Sequence, residues 1–327
     1  MEGKRIINYH LTRDFGTKVA VTFEFISQNF RPLMKCILYI VGPPMVVVGL
    51  FLGSFMDEFF SAAYVAGRTG RDNFLVETFL EPSYYLQAII MYLALFVTLV
   101  TATATINNYI VLYEKKHSTE ITPGEVWAAV RSTFWMYAGT VFLFFFIAFV
   151  VNLFALLFLG ATSAISEDLS TMLSLFYAAI MIYLWNCASL TFFIRGYERK
   201  SFSAAISRSF SLVKGKWWST FGLFAILTLI AWVISFIFFV PAYLVLIIAA
   251  MHTMDGQFNS TLKIPALFSV LMTVFYVISV LLQALPQIGL VFQYFNLVER
   301  KEALGLLRQI DSIGTPVPSS RELEEHY

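Results

Sequence analysis

Six stretches of this chain, at 33–55, 84–112, 137–160, 171–196, 219–248 and 264–297, each run for more than 20 residues with almost no charge. A helix of about 20 apolar residues crosses the hydrocarbon core of a bilayer, and few other folds tolerate such runs. The exceptions, Lys35 and Arg195, lie near the ends of their runs, where a long side chain reaches the headgroups. Strands of a membrane barrel would show short segments of alternating polarity, and nothing here alternates. Composition agrees: 58% of the residues are hydrophobic and 13% charged, too few charges for the polar shell of a soluble domain. The fold class expected is all-α, a membrane protein with six transmembrane helices.

Direction follows from the basic residues. The segments 1–36, 113–136, 195–218 and 298–327 hold 19 of the 22 lysines and arginines, whereas the intervening loops hold only Arg68, Arg71 and Lys263. Those loops carry eight acids, including Asp57, Glu58, Glu167 and Asp168. N- and C-termini are therefore expected in the cytoplasm, and the location is expected to be a bacterial inner membrane. The polar start, MEGKRIINYHLTRDFGTK, contains no apolar core of a signal peptide, so the first span should direct insertion.

The spans are introduced and closed in a repeated way. Glu114, Lys115 and Lys116, then Glu198, Arg199 and Lys200, then Glu299, Arg300 and Lys301 each end the second helix of a hairpin. Apolar residues before the hairpins recur at matching intervals: Phe15, Val19, Phe23, Ile26 and Phe30; Val126, Val130, Phe134, Tyr137 and Val141; Phe202, Ile206, Phe210, Val213 and Trp217. That spacing is one face of a helix. The chain reads as a six-span domain, 1–312, made of repeat units 12–117, 118–200 and 201–302, followed by a flexible tail, 313–327. Each unit would be an amphipathic helix lying in the inner interface and a membrane-crossing pair. Pro43 and Pro44 are expected to distort the first span, and Pro241 and Pro286 to kink or break the last two. A short surface helix is expected in the 53–82 loop and another at 302–313.

Polar groups within the spans are few. Asn107, Asn108, Asn186, Gln287, Gln293 and Asn296 are candidates for a polar cavity or lipid-binding site; interhelical packing is the plainer role for an amide in hydrocarbon. The nine residues of the charged stops are the candidate cytoplasmic interface, with the glutamates pairing to basic residues of amphipathic segments such as Arg131 or Arg208. His10, His117, His252 and His326 follow no ligand spacing, Cys36 and Cys187 form no CxxC pair, and nucleotide-binding and nucleophile motifs are missing. No catalytic residue, metal or cofactor is assigned.

The segment FSAAISRSFSLVKGKWWSTFGLFAILTLI, at 202–230, with the proline-bearing and amide-bearing spans after it, resembles the membrane domain attached to some glycerophosphodiester phosphodiesterases; the similarity covers about 120–300. The N-terminal RDFGTKVAVTFEFISQNFRPLMK is similar to a group of Bacteroidetes-type multi-pass proteins, some of them named as carotenoid-cleaving oxygenases. Such oxygenases are soluble propellers with four iron-binding histidines, which this chain does not provide, and the phosphodiesterase barrel is missing too. The resemblance thus implies a membrane module without its enzyme. The function expected first is a non-catalytic inner-membrane scaffold of a larger complex, contacting lipids and partner membrane proteins or copies of itself, without nucleic acid. The alternative is a transporter or flippase-like protein for a lipid or amphiphile; a membrane enzyme ranks below both.

Overall fold

A computed structural model describes residues 7–69, 80–254 and 264–303. They form α1 (Phe15–Thr69), α2 (Pro82–Lys116), α3 (Pro123–Ser163), α4 (Glu167–Ala188), α5 (Thr191–Tyr197), α6 (Phe202–Val213), α7 (Trp217–Met254), α8 (Ile264–Leu282) and α9 (Ala284–Glu302). Six segments are long and apolar enough to cross a membrane, the fourth made of α4 with α5 and the sixth of α8 with α9. The molecule is a multi-pass helical membrane protein.

Helix boundaries follow local chemistry. Thr122 and Glu125 form a reciprocal cap ahead of α3, with Pro123 at its first position, where no amide donor is needed. Ser166 and Ser201 cap α4 and α6. The charged stops end in left-handed residues: His117 after α2, Arg199 after α5 and Ala303 after α9 have φ of 49°, 55° and 50°. Each reverses the chain where charge forbids deeper entry into hydrocarbon.

Several expectations need correction. The amphipathic segment at 15–30, the first span and the region expected as a separate surface helix are one helix, α1. At 1.5 Å per residue its 55 residues extend about 80 Å, well beyond a hydrocarbon core of about 30 Å. The backbone stays helical through Pro43 and Pro44, as α7 does through Pro241. Pro286 coincides with the break at Gln283, because its ring supplies no amide for the Leu282 carbonyl. A further break, at Ser189 and Leu190, had no proline or glycine to announce it. In the third amphipathic segment Gly215, at φ 80°, separates α6 from α7, whereas the second runs unbroken into α3. The tail at 313–327 and nearly all of the segment at 302–313 lie outside the described residues.

Packing is concentrated at the end of the bundle that carries the charged stops. There α9 is buried almost all round from Ala284 to Val298, against α1, α7 and α2. Phe25, Leu33, Tyr109, Tyr113, Val130, Tyr137, Phe292 and Phe295 form the core around it. Toward the opposite end α3, α4 and α7 expose rows of apolar side chains, including Phe149, Phe154, Leu157, Phe176, Trp232 and Phe236. Lipid covers such surfaces at no hydrophobic cost.

The first amphipathic stripe faces away from the core. Phe15, Phe23 and Phe30 are exposed, at 39%, 40% and 56%, while Lys18, Thr22, Phe25 and Asn29 face the core. The second stripe points inward: Val126, Val130, Tyr137 and Val141 are buried. Within α6 the buried line is Ala205, Ser209, Leu212 and Val213.

Candidate functional site

The six amides singled out in the sequence do not meet in one place. Asn108, on α2, donates to Thr133 of α3 (2.8 Å) and to the Ala104 carbonyl. Asn186, at the end of α4, donates to the Trp217 carbonyl at the start of α7 (3.2 Å), while its Oδ1 is buried without a partner. Gln293 of α9 accepts from Lys18 Nζ (2.6 Å) and donates to Thr220 (2.9 Å), joining α1, α9 and α7. Asn296 accepts the Arg13 backbone amide (2.8 Å) and Arg300 Nε (3.4 Å). These four are interhelical or segment-to-helix links. Asn107 and Gln287 instead line an open volume.

That volume consists of two adjoining cavities of 540 and 270 Å³ sharing Leu99, Phe145, Gln283 and Gln287. Their walls come from α2, α3, α8 and the break before α9, extended by Trp185, Ser189 and Phe192 near the α4–α5 break. Most of the lining is aromatic or aliphatic. The polar exceptions are Thr98, Thr103, Asn107, Tyr276, Ser189 and the two glutamines. Thr98 already donates to the Ala94 carbonyl, but Gln287 Oε1 is buried without a donor. A groove of this size and character, apolar with a few convergent polar atoms, suits a molecule with a long apolar part and a hydrogen-bonding group. The helix break that opens this volume beside Gln283 lies at Pro286, one of the two prolines expected to kink or break the last two spans.

The charged stops gather at the packed end. Glu198 is the hub, bonded to Lys200 (2.7 Å), Arg208 Nε (3.2 Å) and Tyr294 Oη (2.6 Å). Arg208 also pairs with Glu302. Glu114 is met by His10 (3.5 Å) and Tyr197 Oη (3.4 Å) rather than by Arg131, which is exposed. Lys116 pairs with Glu125 at 2.5 Å, Lys115 is exposed, and Lys301 caps the Ser211 and Lys214 carbonyls. Arg300 donates to the Arg13 carbonyl (3.2 Å), and Glu299 is half-buried beside it in the chain.

Sequence reasoning missed that residues 7–14 dock here. The Ile7 amide donates to Tyr113 Oη (3.2 Å), and Tyr9 is enclosed by the rings of Phe25, Tyr113, Phe292 and Phe295. Tyr9 itself was the only cue, an aromatic residue in an otherwise polar leader. Among the described residues no three His, Cys, Asp or Glu side chains form a group able to hold a metal ion.

Burial raises the Glu198 carboxyl, but the hydrogen bonds from Lys200 and Tyr294 and the pairing with Arg208 outweigh it and hold the group below the ordinary glutamate range. A carboxylate depressed on folding stabilises the protein above the unfolded value, about pH 4.3, and that support is lost as pH falls through the folded value. Glu198→Gln is expected to cost about 2 kcal/mol at neutral pH and to flatten this acid limb. Thermal unfolding in detergent at several pH values checks both; an unchanged acid limb would remove Glu198 as its source.

In comparisons with known protein families, characterised proteins and solved structures, nothing matches this chain. What stands is its class, a helical protein that crosses the membrane several times.

Proposed function

We propose that this protein binds a lipid or similar amphiphile in the groove between α2, α3 and the α8–α9 break and moves it between membrane environments. The observation that carries the reading is Gln287 Oε1, a buried acceptor without a donor in the wall of an otherwise greasy cavity. An alcohol, amine or amide of the guest would supply that donor. The adjacent break is the place where α8 and α9 can shift relative to each other, as discontinuous helices do in transporters. This reading ranks ahead of the scaffold expected first, because the groove is a built feature whereas the scaffold rests on basic amphipathic segments, a C-terminal helix expected at 302–313 and missing motifs.

The finer topology belongs to the same proposal. The charged stops are cytoplasmic and the membrane is a bacterial inner membrane, a reading supported by their clustering at one end. The three units descend from one repeated block, supported by the helix-ending stops; the opposed facing of the first two stripes counts against close equivalence. The likeness at 120–300 to the phosphodiesterase-associated membrane domain agrees with a lipid-handling role.

Ala148→Phe places a ring in the smaller cavity, which Ala148 lines from α3. The variant is expected to lose about tenfold in the amphiphile that co-purifies and to slow headgroup exchange of fluorescent lipids in proteoliposomes, with thermal stability maintained. Native mass spectrometry of the protein from gently solubilised membranes reads the first. Equal lipid content in both proteins, with a constant partner protein in both, would replace this reading by the scaffold.

A further inference from the structure

Lys18 is an unusual group to find inside this bundle. Its side chain is 2% exposed, and its ammonium bonds to two neutral oxygens, Gln293 Oε1 at 2.6 Å and Ser219 Oγ at 2.8 Å. The Phe15 ring lies 5.7 Å away. Two further cations stand at the same end: Arg300, which donates to the Arg13 carbonyl just ahead of α1, and Lys216, whose carbonyl accepts the Thr220 amide in the first turn of α7. The acid that acts on Lys18, Asp14, is exposed and accepts the Thr17 amide at 2.7 Å, capping α1. The ends of α1, α7 and α9 thus bring three basic residues to one end of the bundle, one of them buried. Desolvating a cation beside other cations is unfavourable unless an anion belongs there.

The surroundings are arranged to receive one. Ser219 Oγ accepts from Lys18, which commits its hydroxyl proton to donation elsewhere. Lys216 and Arg300 are exposed at the rim. Ser219 lies in the first turn of α7, a helix of 38 residues with no acid in that turn, so its positive end is unopposed by the chain there. From these contacts the geometry points to a binding site for a phosphate-type anion formed by Ser219, Lys216 and Arg300, with Lys18 as the fixed charge behind it.

This site is separate from the groove and does not depend on it. Gly289 and Gln293 turn toward α1 and α7, where they meet Thr22, Leu227, Lys18 and Thr220. Gln287 and Leu290 turn toward the groove. The source of the anion is either a phospholipid headgroup at the membrane surface or free phosphate, and the two are separable.

The full chain is placed in phosphatidylcholine nanodiscs containing graded phosphatidylglycerol, and retained lipid is counted by native mass spectrometry. Lys18→Gln and Lys216→Gln are each expected to lower phosphatidylglycerol retention about fivefold. Lys115→Gln, which removes an equal charge from an exposed position on α2, should leave it unchanged. Lys216 is exposed, so its variant carries the test if Lys18→Gln does not fold. Inorganic phosphate added at constant ionic strength identifies the source: displacement of phosphatidylglycerol means that free phosphate enters the site, and a preference insensitive to phosphate means a lipid headgroup. Equal retention by wild type, Lys216→Gln and Lys115→Gln in both arms would overturn the site, whatever the outcome for Ala148→Phe.

Discussion

Replacing Tyr9 by alanine is expected to destabilise the protein by about 4 kcal/mol, in the range for buried aromatic truncations, and to lower its melting temperature by roughly 10 °C. Tyr9 is 3% exposed and stacks on Phe292 at 5.1 Å between centroids, with Phe295 at 5.0 Å and Tyr113 at 6.0 Å. Its loss leaves a cavity in the tightest part of the bundle. It also frees the segment whose other ties include the Ile7 amide on Tyr113 and the Arg13 amide on Asn296. Tyr9→Phe should behave oppositely. The Tyr9 hydroxyl is buried without a partner, so removing it abolishes a desolvation penalty and keeps the ring contacts. Thermal unfolding of both variants in one detergent decides the matter. Equal losses in the two would mean that the hydroxyl, not the ring, ties the segment down; no loss in either would mean that residues 7–14 do not dock.

The second large effect is expected at Gly196. A Cβ there would lie 2.1 Å from Tyr137 Oη and 3.2 Å from Cζ. Tyr137 is enclosed in the core, and a phenol ring has no flexible end to withdraw. Gly196→Ala must therefore push α5 away from α3, straining the Arg195 bond to Thr140 at 2.5 Å; about 3 kcal/mol is expected for such overpacking. Tyr137→Phe removes the offending oxygen and leaves Cζ close enough to need only a small shift. The double variant Gly196→Ala with Tyr137→Phe should recover most of the loss, giving a coupling of about 2 kcal/mol. A double variant as unstable as Gly196→Ala alone would show that this contact is not what keeps position 196 small.

Much of the site was legible only as a list of residue types. Asn107 and Gln287 were on that list, but nothing separated them from Asn108, Gln293 and Asn296. An amide in a span signals only that a partner is needed, and whether the partner is Thr133, Lys18 or a guest depends on which helix lies opposite. Glu198 and Arg208 are close in sequence and could be paired on paper. Glu114 could not be matched to His10, because the docking of residues 7–14 left little trace in a polar leader. Lys18, at a polar position of the first amphipathic segment, is buried.

Six helices long and apolar enough to cross a membrane, an all-helical class and the sorting of basic residues into alternate inter-span segments were determined by the sequence alone, since each is a property of a linear run: enough apolar length and too little charge. Which way the amphipathic segments face was decided only by the tertiary structure. In water an apolar stripe must turn inward, so the pattern names its own core. In a bilayer lipid accepts Phe15, Phe23 and Phe30 as readily as a protein interior would, whereas Lys18 and Asn29 reach the side chains of Gln293 and Tyr109 only by facing other helices. The polar atoms therefore set the facing, and their partners come from distant parts of the chain.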